Sequence, residues 1–204
     1  MKKVALLTSL ALSISLPACT ADSENDSIIS SEKTTETITK VSEITLENKQ
    51  PSKSDNGKKV YFAGPLFNQS EKDYNVKIAK ILEEYGYEVF LPQRDGYEAA
   101  LLEGKTEAEL IDMIFGLDES KVRESDILFM NLDGRVPDEG ACVELGIAFA
   151  SGKRCYGFKT DTRAAEQGMD LNPMISGCMT KIFSNYNGDK MIKELKEYLS
   201  NNEL

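Results

Sequence analysis

The chain has 204 residues, 41% of them hydrophobic, and a net charge of −10. That length fits one ordinary domain. No segment clusters Lys and Arg as binding to a nucleic-acid polymer requires, so such a partner is not expected. Histidine is absent, which removes Ser-His and Cys-His nucleophile pairs and the usual zinc sites. Acid–base or covalent chemistry falls to Asp, Glu, Tyr, Lys and Cys.

The start, "MKKVALLTSLALSISLPAC", places Lys2 and Lys3 before an apolar run from Val4 to Leu16. The run is too short to span a bilayer and ends in small residues, as a secretory signal does. Residues 1–18 are therefore expected to be a signal peptide. "LPAC", ending at Cys19, resembles the lipobox of bacterial lipoproteins and implies lipid on Cys19, with an exported, membrane-anchored product. A plain signal peptide with a chance cysteine is the alternative. From Thr20 to Gly57 the chain is rich in Ser, Thr, Glu, Asn and Lys and has no aromatic residue. Such a segment buries too little apolar area to offset chain entropy and reads as a tether. The domain is expected over residues 58–204.

"KKVYFAGPLF" reads as a first strand closed by the Gly64-Pro65 turn. "QSEKDYNVKIAKILEEYG" has helical spacing, with Ser70 as the expected cap and Asp73 three residues on. "YEVFLP" is a second strand stopped by Pro92. "TEAELIDMIFGLDESKVRESD" reads as one or two helices, with Gly116 as a candidate break. "ILFMNLDG" is apolar almost throughout, as a strand covered on both faces should be. "DEGACVELGIAFASG" is a helix, "RCYGFK" a fourth strand, "TKIFS" a fifth, and "DKMIKELKEYL" a closing amphipathic helix. This alternation predicts an α/β fold, a flavodoxin-like or Rossmann-like parallel sheet of about five strands with helices on both faces.

Ligands in such folds sit beyond the carboxyl ends of the strands. The rule selects the loops Gly64–Ser70, Asp133–Gly140 and Lys159–Asn172. Gly64, Pro65 and Arg163 lie in them and are candidate substrate contacts. Neither a GxGxxG, a GxxxxGK[ST] nor a GxSxG motif is present. Cys142 and Cys155 lie in apolar runs and read as core residues, and with Cys178 they form no CxxC pair.

Glu144 is the unusual residue. On a helix its neighbours three and four positions away are Gly140, Ala141, Ile147 and Ala148, none of them polar. A helix-edge Glu, or one paired with a distant Lys, is the plainer reading. The functional one is a carboxylate on a tight surface that a flat ligand can approach. It is expected to be ionised by the helix N-terminus and suited to accept a glycosyl group. Asp138, six residues earlier, is either a helix cap or a second carboxyl that holds a proton for a leaving group.

"VYFAGPLF", "LDESKVRESDILFMNLDGRVPDEGACVELGIAFASGK" and "LNPMI" together resemble the nucleoside 2-deoxyribosyltransferase family, over Lys58 to about Asn185. The resemblance implies a flavodoxin-like fold and transfer of a 2-deoxyribosyl group between bases through a covalent glycosyl ester, without a cofactor. Nucleosides and nucleobases are then the partners, and a homo-oligomer is expected. By resemblance Glu144 is the nucleophile and Tyr61 orients it. Asp118 and Asp138 contact the base and assist its protonation, and Asn172 reaches a neighbouring subunit's sugar site. Hydrolysis of deoxynucleosides or their monophosphates, and nucleoside binding without catalysis, remain as alternatives. A phosphate would use Ser70 at the helix start.

Overall fold

A computed structural model describes residues 56–163 and 168–204. The expected signal peptide, Cys19 and almost all of the tether lie outside the described residues. Five strands form one parallel sheet in the order β2-β1-β3-β4-β5. They are β1 (Lys59–Ala63), β2 (Glu88–Phe90), β3 (Ile127–Asn131), β4 (Arg154–Lys159) and β5 (Lys181–Ser184). The α/β expectation holds in strand number, direction and sequence assignment. Seven helices among the described residues complete the fold: α1 (Gln69–Glu84), α2 (Pro92–Asp95), α3 (Ala99–Leu102), α4 (Glu107–Glu124), α5 (Glu139–Ala150), α6 (Pro173–Cys178) and α7 (Gly188–Asn201).

Strand alternation sorts side chains between two cores. Val60, Phe62, Ile127, Phe129, Phe158 and Phe183 turn to the side of α1 and α7 and pack on Ile78, Leu82, Met191 and Leu195. Tyr61, Ala63, Leu128, Met130 and Cys155 turn the other way, to Val122 of α4 and Ala141, Leu145 and Ala148 of α5. β3 is buried at all five positions, as its almost wholly apolar sequence predicts.

The strand order reverses between β1 and β3. After β2 the chain crosses back to pair β3 with the free side of β1, in the register Tyr61↔Leu128 and Ala63↔Met130. In open α/β sheets the loops diverge at such a point and leave a crevice.

Two helix expectations change. The α1 cap is Asn68, not Ser70: its side chain accepts from the Glu71 amide, and the Glu71 carboxylate accepts from the Phe67 and Asn68 amides at 2.9 and 3.2 Å. This is a reciprocal capping box, two residues earlier than expected. Gly116 does not break α4, which runs unbroken from its Thr106–Glu109 capping box to Glu124.

Candidate active site

Tyr61 lies on the α4/α5 side of β1, two residues before the crevice. It is fully buried, and its hydroxyl donates to Glu144 Oε1 at 2.7 Å. Glu144 lies in the second turn of α5, half-buried. Asp118 comes from the middle of α4 and also acts on the Tyr61 hydroxyl. Three elements far apart in sequence thus bring Tyr61, Asp118 and Glu144 together.

Asp138 does what its capping role requires: Oδ1 accepts from the Ala141 amide at 2.7 Å. It also lines a pocket of about 160 Å³ with Asp118, Glu144, Gly64, Leu66, Phe67 and Pro92. The two readings of Asp138 are therefore compatible, since one carboxylate can cap α5 and face the pocket. Asp118 and Glu144 also line a larger groove of about 440 Å³ between α4 and α5. Its walls are apolar: Leu110, Ile111, Ile114, Phe115, Val143 and Ile147.

Burial pushes the Glu144 carboxyl up to about 8, against the pull of the Tyr61 hydrogen bond, and the charges of Asp118 and Asp138 push it the same way. Burial likewise raises Asp118. The expectation of a Glu144 ionised by the helix N-terminus does not hold, because that field fades within the first turn and desolvation dominates. The shift favours the protonated form of the Glu144 carboxyl. Burial and the charges of Glu144 and Asp118 drive the Tyr61 hydroxyl far above the ordinary phenol range, so Tyr61 remains a donor. Burial also raises the Cys142 and Cys155 thiols, Cys155 to about 11, which makes both poor thiolates.

The other expected contacts fall as follows. Gly64 lines the small pocket, and its lack of a side chain is required there: a Cβ would stand 2.8 Å from Asn131 Cβ. Pro65 is buried, and its carbonyl turns inward to accept from Asn75 at 2.9 Å. Arg163 is exposed and forms an ion pair with Asp161, away from the residues that line the two Glu144 cavities. Asn172 caps α6 by accepting from the Met174 amide at 2.9 Å. Leu66, Phe67 and Pro92 were not singled out from sequence as pocket residues. Phe67 is 76% exposed, and an exposed aromatic in a ligand-facing loop was the available signal.

The sequence profile of the family described as "Nucleoside 2-deoxyribosyltransferase" matches residues 60–201. The chain belongs to the nucleoside 2-deoxyribosyltransferase family. Among solved structures it is similar to a conserved protein from Enterococcus faecalis V583, with 25% identity and a TM-score of 0.56, over 70% of this chain and 97% of that one. It is similar to a 2-deoxyribosyltransferase from Bacillus psychrosaccharolyticus, with 25% identity and a TM-score of 0.50, over 65% of this chain and 90% of that one. A 2-deoxyribosyltransferase from Leishmania mexicana shares the fold at 19% identity and a TM-score of 0.50, over 72% of this chain and 99% of that one. No curated protein matches. The family match runs from the second residue of β1 through β5 and includes Tyr61, Asp118, Asp138 and Glu144.

Proposed function

We propose that the protein cleaves the N-glycosidic bond of 2′-deoxynucleosides and transfers the deoxyribosyl group to another base through an ester on Glu144. The observation that carries this reading is the Tyr61–Glu144 hydrogen bond of 2.7 Å beside two further carboxyls at the switch point. The sugar lies in the small pocket against Gly64, with the base toward Phe67. A Glu144 oxygen bonds to C1′ as the C1′–N bond breaks. The bonding pair goes to the base nitrogen, which takes the proton that the carboxyl cluster holds, relayed by Asp118 or Asp138. The nitrogen of an incoming base then attacks C1′, Glu144 leaves as a carboxylate, and the cluster recovers its proton. Tyr61 holds the reacting oxygens in place throughout.

A neutral nucleoside suits the pocket better than a 5′-monophosphate. The start of α1, the place a phosphate would take, is already occupied by the Glu71 carboxylate. Neither Lys nor Arg lines the small pocket. The apolar strip on α4 and α5, with Ile111, Phe115 and Val143 more than half exposed, supports a homo-oligomer in which a second copy covers the groove. Export and a lipid anchor on Cys19 complete the proposal.

The test is product analysis after incubating the protein with thymidine, with and without adenine. Deoxyadenosine formation supports transfer. Thymine release with adenine untouched means hydrolysis. Binding without either product means a nucleoside-binding protein, and it would remove the catalytic reading.

A further inference from the structure

A chain of buried and half-buried polar side chains links the loops after β1, β3 and β4. It starts at the β1 loop, where the Asn75 side-chain amide donates to the Pro65 carbonyl at 2.9 Å. The Asn75 oxygen accepts from the Asn131 amide nitrogen at 2.8 Å. The Asn131 oxygen accepts from the Asp133 backbone N–H at 2.9 Å. The Asp133 carboxylate accepts from the Thr160 amide and hydroxyl and from the Asp161 amide at 2.8 Å. Asn75 is fully buried and Asn131 nearly so.

Asn131 is the hub. It ends β3, binds both neighbours in the chain, and packs so closely on β1 that position 64 has no room for a Cβ. The loops it joins are those of the site. Gly64, Leu66 and Phe67 wall the small pocket. The segment from Asp133 leads to Asp138 and then Glu144. The Thr160 segment leads toward Asn172. Buried amides with both donor and acceptor in use fix geometry in two directions, and a broken link leaves an unpaired polar atom in a dry interior.

We propose that Asn131, with Asn75, is a positioning residue for the reaction: it sets the separation between the β1 wall of the pocket and the carboxylates carried by the β3–α5 segment. Neither residue lines the pocket. Their effect on rate runs through Gly64–Phe67 and Asp138. This rests on the reading of the pocket as a glycosyl-transfer centre. A displacement of about 1 Å between a bound reactant and its catalytic group lowers rate by about a hundredfold.

The test pairs hydrogen exchange with kinetics on Asn131→Ala and Asn75→Ala. In Asn131→Ala, amides over 64–68 and over 160–163 are expected to exchange about tenfold faster, while those of α7 stay unchanged. In Asn75→Ala only the 64–68 segment should loosen. Both variants should lose about tenfold to a hundredfold in kcat, with KM within about twofold of the wild type. Faster exchange confined to β3, or spread evenly through the domain, overturns the proposal, as does an unchanged kcat in a variant whose loops have loosened. If Asn131→Ala does not fold, Asn75→Ala decides by the same readings. A wild-type protein that turns over no deoxynucleoside sinks the functional reading instead, and the exchange pattern alone then tests the coupling of the loops.

Discussion

The Tyr61 hydroxyl meets Glu144 Oε1 at 2.7 Å, although 83 residues separate the two in the chain. The contact sets one end of the Glu144 carboxylate at a fixed point above the sheet. It also opposes the desolvation that raises the Glu144 pKa. Removing it should have two separable effects. Tyr61→Phe is expected to lower kcat by about tenfold to a hundredfold and to move the pH dependence of kcat/KM upward, because a pull toward the ionised form is lost. A pH–rate profile of both proteins checks this, and an unshifted profile would count against the assigned contact.

Glu144→Gln should abolish turnover while making the fold more tolerant of alkali. The folded-state pKa of Glu144, about 8, lies above its ordinary value of 4.5. Between those values the folded protein binds more protons than the unfolded chain, so wild-type stability falls as pH rises through the window. Each pH unit there costs at most about 1.4 kcal/mol. The Gln variant loses this dependence. Thermal unfolding at pH 5 and pH 8 should show a smaller fall for the variant, and residual activity above about a thousandth of wild type would dismiss Glu144 as nucleophile.

Asp138 separates cap from catalyst. Asn caps a helix about as well as Asp, and Ala does not. Asp138→Asn should therefore keep near wild-type stability yet lose rate, whereas Asp138→Ala should lose rate and about 1 kcal/mol of stability. If Asp138→Asn keeps full activity, the carboxylate serves only as the α5 cap. Chemical denaturation alongside product assays makes the comparison.

Gly64→Ala should destabilise the domain by about 1–3 kcal/mol through overpacking, since the new Cβ meets Asn131 Cβ at 2.8 Å. Denaturant midpoints measure the loss. A neutral result would mean that β1 and β3 separate easily at this end.

Cys19→Ala addresses the anchor. The full chain expressed in a bacterial host with lipoprotein processing should be found in the membrane fraction and should label with a fatty-acid probe. The variant should lose the label and be found with the soluble protein. An unlabelled wild-type protein would leave only the simple export signal.

Much of this architecture was legible in the chain because sheets and helices write their periods into sequence. The apolar run of Ile127–Met130 marks a strand covered on both faces, and alternation in β1 separates Tyr61 from Phe62. Glu144 stands out as an acid whose helix neighbours are all small or apolar. What was not legible depends on contacts across long separations. The raised Glu144 pKa comes first from burial by segments distant in sequence, with a smaller push from Asp118 on another helix. The hub role of Asn131 needs Asn75, 56 residues away. Arg163 looked available for a ligand, yet it folds back on Asp161 two residues earlier. The α1 cap was placed at Ser70 because Asp73 mimicked the box that Asn68 and Glu71 complete.

The two sides of the sheet differ in what change they can absorb. Phe62, Phe129, Phe158 and Phe183 form a continuous aromatic layer beneath α1 and α7. The side beneath α4 and α5 carries the buried Tyr61 and the acids above it. Aromatic cohesion thus resides on one surface and the acid cluster on the other. Substitutions that strengthen the aromatic layer can offset the instability of altered carboxylates across the sheet, which makes that layer the place to begin when the acid cluster is to be changed.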